Sequence, residues 1–369
     1  MIEQLRALPL SQKIGQLFFI GIAGPQVDEQ TRELLAEISP GGVCLFARNI
    51  REARQTRHLL DEIRELSPVT PFLSIDQEGG LVDRLRRIMT PMPAANKVHK
   101  VDDAAKIAAI IAETLRILGF NMDFAPVVDV VNEDRAKYSN GLFSRGYGAS
   151  KEDATILAGR FLETLQQNGV IGCLKHFPGL GATNVDSHEE LPQVNITQDE
   201  LFSTDLFPYH ELLKNGAAKA IMAAHAAFPR ASLQETGQNG KLLPSSLSKN
   251  FITNLLRGEL GFDGLVITDD LEMGAIVKNY GIGEACKMAV AAGVDMLAIC
   301  ADPDAIRDGH SAVLRAVGQG EIAEDRIDVS LERIAVLKNE FSEPLDLDLE
   351  RLGQLSEQVA ALNEHLNRA

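Results

Sequence analysis

Short apolar runs rich in β-branched residues alternate with longer amphipathic segments along most of the chain. In the amphipathic segments, such as Asp103–Leu118 and Lys151–Asn168, apolar residues recur every three or four positions, which indicates helices with one buried face. The apolar runs are short and nearly continuous, as in strands that are buried on both faces. Eight such runs predict strands: Gly15–Ile22, Gly42–Phe46, Phe72–Ile75, Met122–Val127, Gly169–Leu174, Ala218–Ala223, Gly264–Ile267 and Asp295–Ile299. Their alternation with helices predicts a parallel sheet covered by helices.

Polar residues follow nearly every predicted strand, and they include Asp76, Asp129, Lys175, His225 and Asp269. Chemistry spread over many strand ends is typical of a TIM-type (β/α)8 barrel, whereas an open doubly wound sheet concentrates it at one switch point. The chain contains neither GxGxxG nor GxxxxGK[ST]. The sequence therefore predicts one catalytic α/β domain over residues 1–369, with a (β/α)8 barrel at about 14–302 and a C-terminal helical extension at about 303–369.

Composition excludes several classes of partner. The net charge of −16 argues against nucleic acid or an anionic membrane as a general partner. No apolar run has transmembrane length and the N-terminus shows no secretory signal pattern, so we expect a cytoplasmic protein. The four cysteines are scattered without a Cys-x-x-Cys spacing, which predicts buried free thiols. The oligomeric state stays open.

The stretch Lys175–Pro192, KHFPGLGATNVDSHEELP, carries the densest candidate chemistry. It follows the predicted strand Gly169–Leu174 directly, so we expect it to form a loop at the barrel mouth. Asp186 and His188 are two positions apart, and in an extended segment their side chains leave on the same side. A carboxylate beside an imidazole fixes its tautomer and favours its protonated form, which suits proton transfer near neutral pH.

A second informative stretch is Gly261–Met273, GFDGLVITDDLEM, in which a strand delivers two consecutive aspartates. Adjacent residues on a strand point in opposite directions. We therefore expect Asp269 to face the barrel mouth and Asp270 to cap a helix that begins near Leu271.

A third stretch is Ser74–Leu85, SIDQEGGLVDRL, where paired glycines indicate a tight loop that exposes Asp76. A carboxylate accepts hydrogen bonds from adjacent sugar hydroxyls, and Arg84 adds fork-shaped donors. Gln77 and Glu78 are expected only to support the loop. The alternative is a solvated turn with a surface ion pair.

Two further residues are ambiguous from the sequence alone. Arg145 lies in the Gly-rich stretch SRGYG, where an isolated loop arginine is more often solvent-exposed than functional. His225 is either a pocket residue or a buried histidine whose hydrogen bonds are satisfied.

Three chemistries and one binding role fit these residues. Asp269 can attack an anomeric carbon while a histidine moves the proton. Lys175 can form a Schiff base, although the neighbouring carboxylates favour a charged lysine. His176, His188 and His225 with an aspartate can bind a divalent metal. A sugar-binding barrel without catalysis is the fourth interpretation. The residues favour the glycosidase.

Three motifs together resemble a known family. KHFPG-x-G followed by DSH, with IDQEGG-x-V-x-RL upstream and GF-x-G-x-(I/V)-(T/S)-D-D-L downstream, is similar to the β-N-acetylhexosaminidases of glycoside hydrolase family three. The order and spacing agree over about residues 14–337.

The resemblance implies a retaining hydrolase that removes terminal β-linked N-acetylglucosamine (GlcNAc) without a metal or cofactor. It implies that Asp269 is the nucleophile and that His188 is the acid/base, with Asp186 as its partner. The sugar-binding positions that it implies are Asp76, Arg84, Arg145, Lys175 and His176. Enzymes of this kind commonly trim cell-wall muropeptides during recycling, and some relatives transfer the sugar to phosphate, so a phosphorylase is the alternative.

Two positions depart from the family pattern. Leu180 replaces the usual histidine between the two glycines, which we expect to alter loop packing but not the proton shuttle. Gly146 replaces the serine that usually follows the loop arginine, which leaves open how the outer sugar hydroxyls are held.

Overall fold

The chain folds into a closed barrel of eight parallel strands in the computed structural model, which describes residues 1–139, 141–183, 190–237 and 240–368. The strands in chain order are β1 (Phe18–Gly21), β2 (Gly42–Leu45), β3 (Phe72–Ile75), β4 (Gln77–Gly79), β5 (Val82–Asp83), β6 (Met122–Asp123), β7 (Ile171–Phe177), β8 (Ala220–Ala223), β9 (Leu265–Asp270) and β10 (Met296–Ile299). Strands β4 and β5 form an antiparallel pair outside the barrel, and β10 closes the barrel onto β1. The predicted (β/α)8 fold is confirmed.

Helices surround the barrel and follow its strands. They are α1 (Ile2–Arg6), α2 (Leu10–Gly15), α3 (Glu29–Ile38), α4 (Ala53–Leu66), α5 (Val101–Leu118), α6 (Glu133–Ala136), α7 (Lys151–Gln167), α8 (Gln198–Glu200), α9 (Phe207–Lys214), α10 (Gly274–Val277), α11 (Ile282–Ala292), α12 (Pro303–Gly318), α13 (Glu324–Lys338) and α14 (Leu349–Arg368). Single 3₁₀ turns lie at Ala95–Lys97, Leu142–Ser144 and Ser245–Leu247, and π-helical segments at Leu201–Asp205 and Asn250–Glu259. Helix α5 ends at Gly119, whose φ of 97° is the left-handed conformation that glycine adopts at low cost.

Four predicted strand boundaries were wrong by three residues or more, and one of them is the end of the seventh strand, which runs on to Asp270 instead of Ile267. The first strand begins at Phe18 instead of Gly15, because Leu10–Gly15 is helical. The fourth ends at Asp123 instead of Val127, and Pro126 has no N–H to donate to the ladder. The fifth runs on to Phe177, so Lys175 and His176 lie on the strand itself, where their backbone positions are fixed by neighbouring strands.

Aromatic side chains fill the barrel interior below its mouth. The Phe19 ring lies 5.7 Å from the Phe72 ring and 5.2 Å from the Phe124 ring, measured between centroids. A Cβ at Gly42 would lie 2.3 Å from the Phe19 ring, which explains the glycine at the start of β2. The barrel interior is therefore a packed core, and a cavity opens at its carboxyl end.

The opposite end of the barrel holds a buried lysine. The Lys338 Nζ donates to Gln16 Oε1 at 2.9 Å and lies 5.5 Å from the centre of the Phe72 ring. Burial lowers the pKa of Lys338 to about 7, because the partners of its Nζ among the described residues are an amide and a ring face.

The C-terminal helix braces a loop at the barrel mouth. Helix α14 buries one face, formed by Leu352, Leu355, Val359, Leu362 and Leu366, and packs beside α5. Its Ser356 Oγ accepts from Thr90 N at 2.8 Å, and its Asn363 Nδ2 donates to the Pro91 carbonyl at 2.9 Å. Thr90 and Pro91 belong to the segment between β5 and α5, which also carries Arg84.

All four cysteines are buried and free, as the sequence predicts. Over the ranges that the structure describes, no helix is both long enough and apolar enough to cross a bilayer.

Candidate active site

A cavity of about 240 Å³ opens at the carboxyl end of the barrel strands. All six described residues that the sequence singles out for sugar binding or nucleophilic attack line it, namely Asp76, Arg84, Arg145, Lys175, His176 and Asp269. They come from five different strand ends or loops, and the barrel brings them together. Arg145, which the local sequence assigns to solvent, belongs to this set, and its side chain is only 24% exposed.

Lys175 is held as a buried cation between two carboxylates. Its Nζ lies 2.7 Å from Asp76 Oδ1 and 2.6 Å from Glu78 Oε1, and its side chain is only 2% exposed. Burial alone would lower the pKa of Lys175, but Asp76 and Glu78 outweigh it and raise the pKa above its ordinary value. A charged lysine cannot attack a carbonyl carbon, so this geometry disfavours Schiff-base chemistry.

Glu78 links the lysine to the loop arginine. Arg145 donates from Nε and Nη2 to the two Glu78 oxygens at 2.7 and 2.8 Å, the bidentate geometry of a strong guanidinium–carboxylate pair. Burial opposes the charge of Glu78, but Lys175 and Arg145 outweigh it and hold the pKa of Glu78 well below its usual range. Across the cavity wall, Arg84 Nη2 lies 3.4 Å from Asp76 Oδ2. These ion pairs form one network of five charged side chains, namely Asp76, Glu78, Arg84, Arg145 and Lys175.

Asp269 is positioned by the end of β9. Its Oδ1 accepts from the backbone N–H of Asp270 at 2.8 Å. Burial alone would raise the pKa of Asp269, but the Asp270 N–H and the Lys175 cation stabilise its anion, and the pKa lies below the ordinary value. Asp269 is therefore ionised near neutral pH, as a nucleophile requires.

Asp270 does not cap a helix, which corrects our expectation. It belongs to β9, and its Oδ1 closes a turn by accepting from Glu272 N at 3.0 Å, while α10 begins only at Gly274. Burial raises the pKa of Asp270 to about 7. Its side chain also lines the cavity beside Asp269.

His225 is a buried histidine whose two ring nitrogens both have protein partners. Nε2 lies 3.1 Å from the Asp270 carbonyl oxygen, so it donates, and Nδ1 accepts from the Ser246 hydroxyl at 2.7 Å. Burial lowers the pKa of His225, which keeps the ring neutral. This geometry fits the interpretation of His225 as a buried histidine whose hydrogen bonds are satisfied.

Asp129 anchors the other imidazole of the site. Its Oδ2 lies 2.7 Å from His176 Nδ1, and its Oδ1 accepts from Leu180 N at 2.7 Å. The Nε2 of the same ring lies 3.4 Å from Arg145 Nη2. The sequence identifies Asp129 only as a polar residue at a strand end. Sequence motifs could not show that its carboxylate contacts both His176 and Leu180.

Asp123 is a second carboxyl group that sequence reasoning missed. It is fully buried in β6, where its Oδ1 accepts from Gln77 N at 2.9 Å. Among the described residues, its Oδ2 has no hydrogen-bond partner. Burial raises the pKa of Asp123 to about 8, so the group is largely protonated at neutral pH.

The two departures from the family pattern have local explanations. Leu180 is buried and lines the cavity, which places an apolar side chain where the pattern has an imidazole. A Cβ at Gly146 would lie 2.9 Å from the Asp129 carbonyl oxygen, so the backbone approaches too closely there for a larger residue without a shift. Asp186 and His188 lie outside the described residues.

No three His, Cys, Asp or Glu side chains among the described residues are grouped as metal ligands. The candidate set for that chemistry included His188, which the described ranges do not contain. His176 and His225 each engage protein partners instead.

A closed (β/α)8 barrel whose mouth gathers an ionised carboxylate and a dense set of charged hydrogen-bonding side chains in one cavity has the architecture of a barrel enzyme. Residues 9–337 match the family described as glycosyl hydrolase family 3 N terminal domain. The chain therefore belongs to glycoside hydrolase family three and is a glycosidase.

Characterised relatives and solved structures agree with this assignment. The chain is 32% identical over 298 residues to a β-hexosaminidase of Tolumonas auensis. The aligned region covers 79% of this chain and 85% of the relative. It is 33% identical over 287 residues to a β-hexosaminidase of Pseudomonas aeruginosa, covering 77% and 82%. The structure of a family-three β-N-acetylglucosaminidase from Paenibacillus sp. superimposes with a TM-score of 0.86 at 35% identity, covering 96% of this chain and 69% of that chain.

Proposed function

We propose that the protein is a retaining exo-β-N-acetylglucosaminidase that hydrolyses terminal β-linked GlcNAc. The observation that carries this proposal is the presence of the Asp269 carboxylate in the same small cavity as Asp76 and Lys175. A nucleophile and a hydroxyl-binding network then face one sugar ring. The names of the relatives support the same sugar class.

Asp269 supplies the first half of the reaction. Its carboxylate attacks the anomeric carbon as the glycosidic C–O bond breaks, which gives a covalent glycosyl-enzyme intermediate. Its lowered pKa keeps it anionic, and the Asp270 N–H fixes one of its oxygens. Water then attacks the same carbon and releases the sugar with its configuration retained.

His188 is the proposed acid/base. As an imidazolium it protonates the departing oxygen, and as a neutral imidazole it accepts a proton from the incoming water. Asp186 holds the ring and compensates its charge, as the carboxylate of a serine triad does.

The charged network is proposed to hold the sugar hydroxyls. Asp76 accepts hydrogen bonds from hydroxyl groups, while Lys175, Arg84 and Arg145 donate to hydroxyl oxygens. Because ion pairs with Glu78 and Asp76 hold Arg145 and Lys175, the protein itself orients these cations toward the sugar.

The proposal also specifies the natural substrate more closely. We infer that the natural aglycone is a cytoplasmic muropeptide from cell-wall recycling, and a purified muropeptide digest would show it by loss of GlcNAc in mass spectrometry. Assays with and without phosphate separate hydrolysis from phosphorolysis.

The test is release of nitrophenol from 4-nitrophenyl β-N-acetylglucosaminide. We expect the wild type to be active and Asp269→Ala to be inactive. We expect His188→Ala to keep more activity on this activated substrate than on N,N′-diacetylchitobiose, because a good leaving group needs little protonation. Equal losses on both substrates would contradict the acid role of His188. Asp308→Asn is the control, because Asp308 lies on α12, outside the cavity lining.

A further inference from the structure

One buried carboxylate, Asp129, uses both of its oxygens on two different parts of the site. The Asp129 side chain has no exposure to solvent. Its Oδ2 lies 2.7 Å from the Nδ1 of His176, which is in the cavity wall. Its Oδ1 accepts from Leu180 N at 2.7 Å and lies 3.3 Å from the backbone N of His176.

The surroundings of the His176 ring determine where its proton lies. Arg145 Nη2 lies 3.4 Å from Nε2, and a guanidinium has donors only. The Nε2 atom must therefore accept, which places the proton on Nδ1, where it is donated to Asp129. Asp129 stabilises this tautomer, and with it the orientation of the ring toward the cavity.

The turn around Leu180 packs closely beside Asp129. A Cβ at Gly181 would lie 2.0 Å from the Val130 carbonyl oxygen, and one at Gly179 would lie 2.7 Å from the Asp205 Cβ. Gly179 also has a φ of 134°, which side chains rarely adopt. The backbone from Gly179 to Gly181 is thus held by close packing on both sides of the Leu180 N–H, and Asp129 supplies the hydrogen bond between them.

We propose that Asp129 is a positioning residue that fixes two parts of the reaction machinery at once. Through Oδ2 it sets the tautomer of the sugar-binding His176. Through Oδ1 it holds the peptide at Leu180, from which the chain continues toward His188. This inference rests on the proposed function, since it assigns the second task to the segment that carries the proposed acid/base.

The variant that tests both tasks is Asp129→Asn. Asparagine keeps one acceptor oxygen but puts an NH₂ group in place of the other, so the N–H donors on one side of the carboxylate lose their acceptor. We expect inhibition by free GlcNAc to weaken, and we expect kcat/KM on N,N′-diacetylchitobiose to fall roughly 10- to 100-fold further than on the nitrophenyl glycoside.

His176→Ala is the matched comparison, because it removes the first task only. It should weaken GlcNAc inhibition while lowering kcat/KM on both substrates by similar factors. If Asp129→Asn shows the same substrate ratio as the wild type, the second task is refuted. If it leaves GlcNAc inhibition unchanged, the first task is refuted.

Nitrogen NMR of ¹⁵N-histidine-labelled wild type decides the tautomer without any variant. We expect the neutral His176 ring to carry its proton on Nδ1 and to leave Nε2 unprotonated. An unprotonated Nδ1 would overturn the proposal. A wild type that releases nothing from any β-GlcNAc substrate would refute the proposed function instead, and the NMR result would still judge the role of Asp129 toward His176.

Discussion

At the scale of single residues, Glu78 joins the two cations of the cavity. It accepts from both ends of the Arg145 fork and pairs with Lys175 Nζ. Breaking such a buried pair leaves uncompensated charge, which typically costs about 3–5 kcal/mol.

We therefore expect Glu78→Gln to lower kcat/KM on the order of 100-fold, because Arg145 and Lys175 lose the partner that orients them. Steady-state kinetics on the nitrophenyl glycoside measures this. Glu113→Gln is the control, since Glu113 forms the same bidentate pair with Arg351 on the outer surface. Equal effects of the two substitutions would mean that the Glu78 pairs serve stability alone.

Asp123 predicts a pH dependence of stability. Its folded pKa is about 8 and its ordinary value is 3.8, so between these values the folded state binds a proton that the unfolded state has released. The Asp123 contribution to stability is therefore present at low pH and declines as the pH rises toward 8. Asp123→Asn imitates the protonated group and removes this decline.

The free energy of unfolding of Asp123→Asn relative to wild type should accordingly increase with pH from about 4 to 8. Urea titrations at three pH values measure it. A difference that does not change with pH would show that Asp123 is already ionised in the folded protein.

Residue types and spacing predicted most of the cavity, yet they missed the residues that support it. Asp76, Lys175 and Asp269 could be predicted because each directly follows or ends an apolar strand. Glu78 could not, because the β4–β5 turn folds its carboxylate against an arginine 67 positions away in the sequence. The contacts of Asp129 with His176 and Leu180 likewise could not be predicted, because they depend on the three-dimensional fold.

At the scale of elements, the C-terminal helix is connected to the active-site side of the barrel. Helix α14 packs beside α5 and bonds to Thr90 and Pro91 of the segment that carries Arg84. Its apolar spacing predicted the helix from sequence, over Leu349–Leu366 against the observed Leu349–Arg368. Its contact with this loop had no sequence signal.

We expect Leu355→Ala, at a position 1% exposed, to lower the free energy of unfolding by about 2–5 kcal/mol. The neighbouring Glu357→Ala should change it by less than about 0.5 kcal/mol, since that side chain is exposed. Urea unfolding compares the two. Similar small effects would mean that α14 contributes little to the cooperative core.

At the scale of the whole molecule, the two ends of the barrel carry different chemistry. The carboxyl end holds the charged network, while the amino end buries Lys338 beside Gln16 and Phe72. The closed barrel itself was predictable because polar residues followed so many strands. The length of a short strand such as β6 was not, because the hydrogen-bond ladder depends on which neighbours pair.

Lys338→Met should stabilise the protein without altering catalysis. The folded pKa of Lys338 is about 7 and its ordinary value is 10.5, so in between only the unfolded state holds the extra proton. Wild-type stability therefore rises with pH across this window, by about 1.4 kcal/mol per unit at most.

The advantage of Lys338→Met should be largest below about pH 7 and shrink toward pH 10.5, while kcat/KM stays that of the wild type. Unfolding at pH 6.5 and 9.5 measures the first expectation, and the nitrophenyl assay measures the second. A constant advantage at both pH values would show that the lysine stays charged in the folded protein.

The presence of Asp269 and three cations in one cavity has a consequence for inhibitor chemistry. A sugar analogue with one positive charge at the ring position nearest Asp269 would gain an attractive partner there. The same charge moved to the far side of the ring would meet Lys175, Arg84 and Arg145, whose excess of cations repels it. Placement of an amine within an iminosugar, more than its basicity, should therefore decide how tightly such a compound binds.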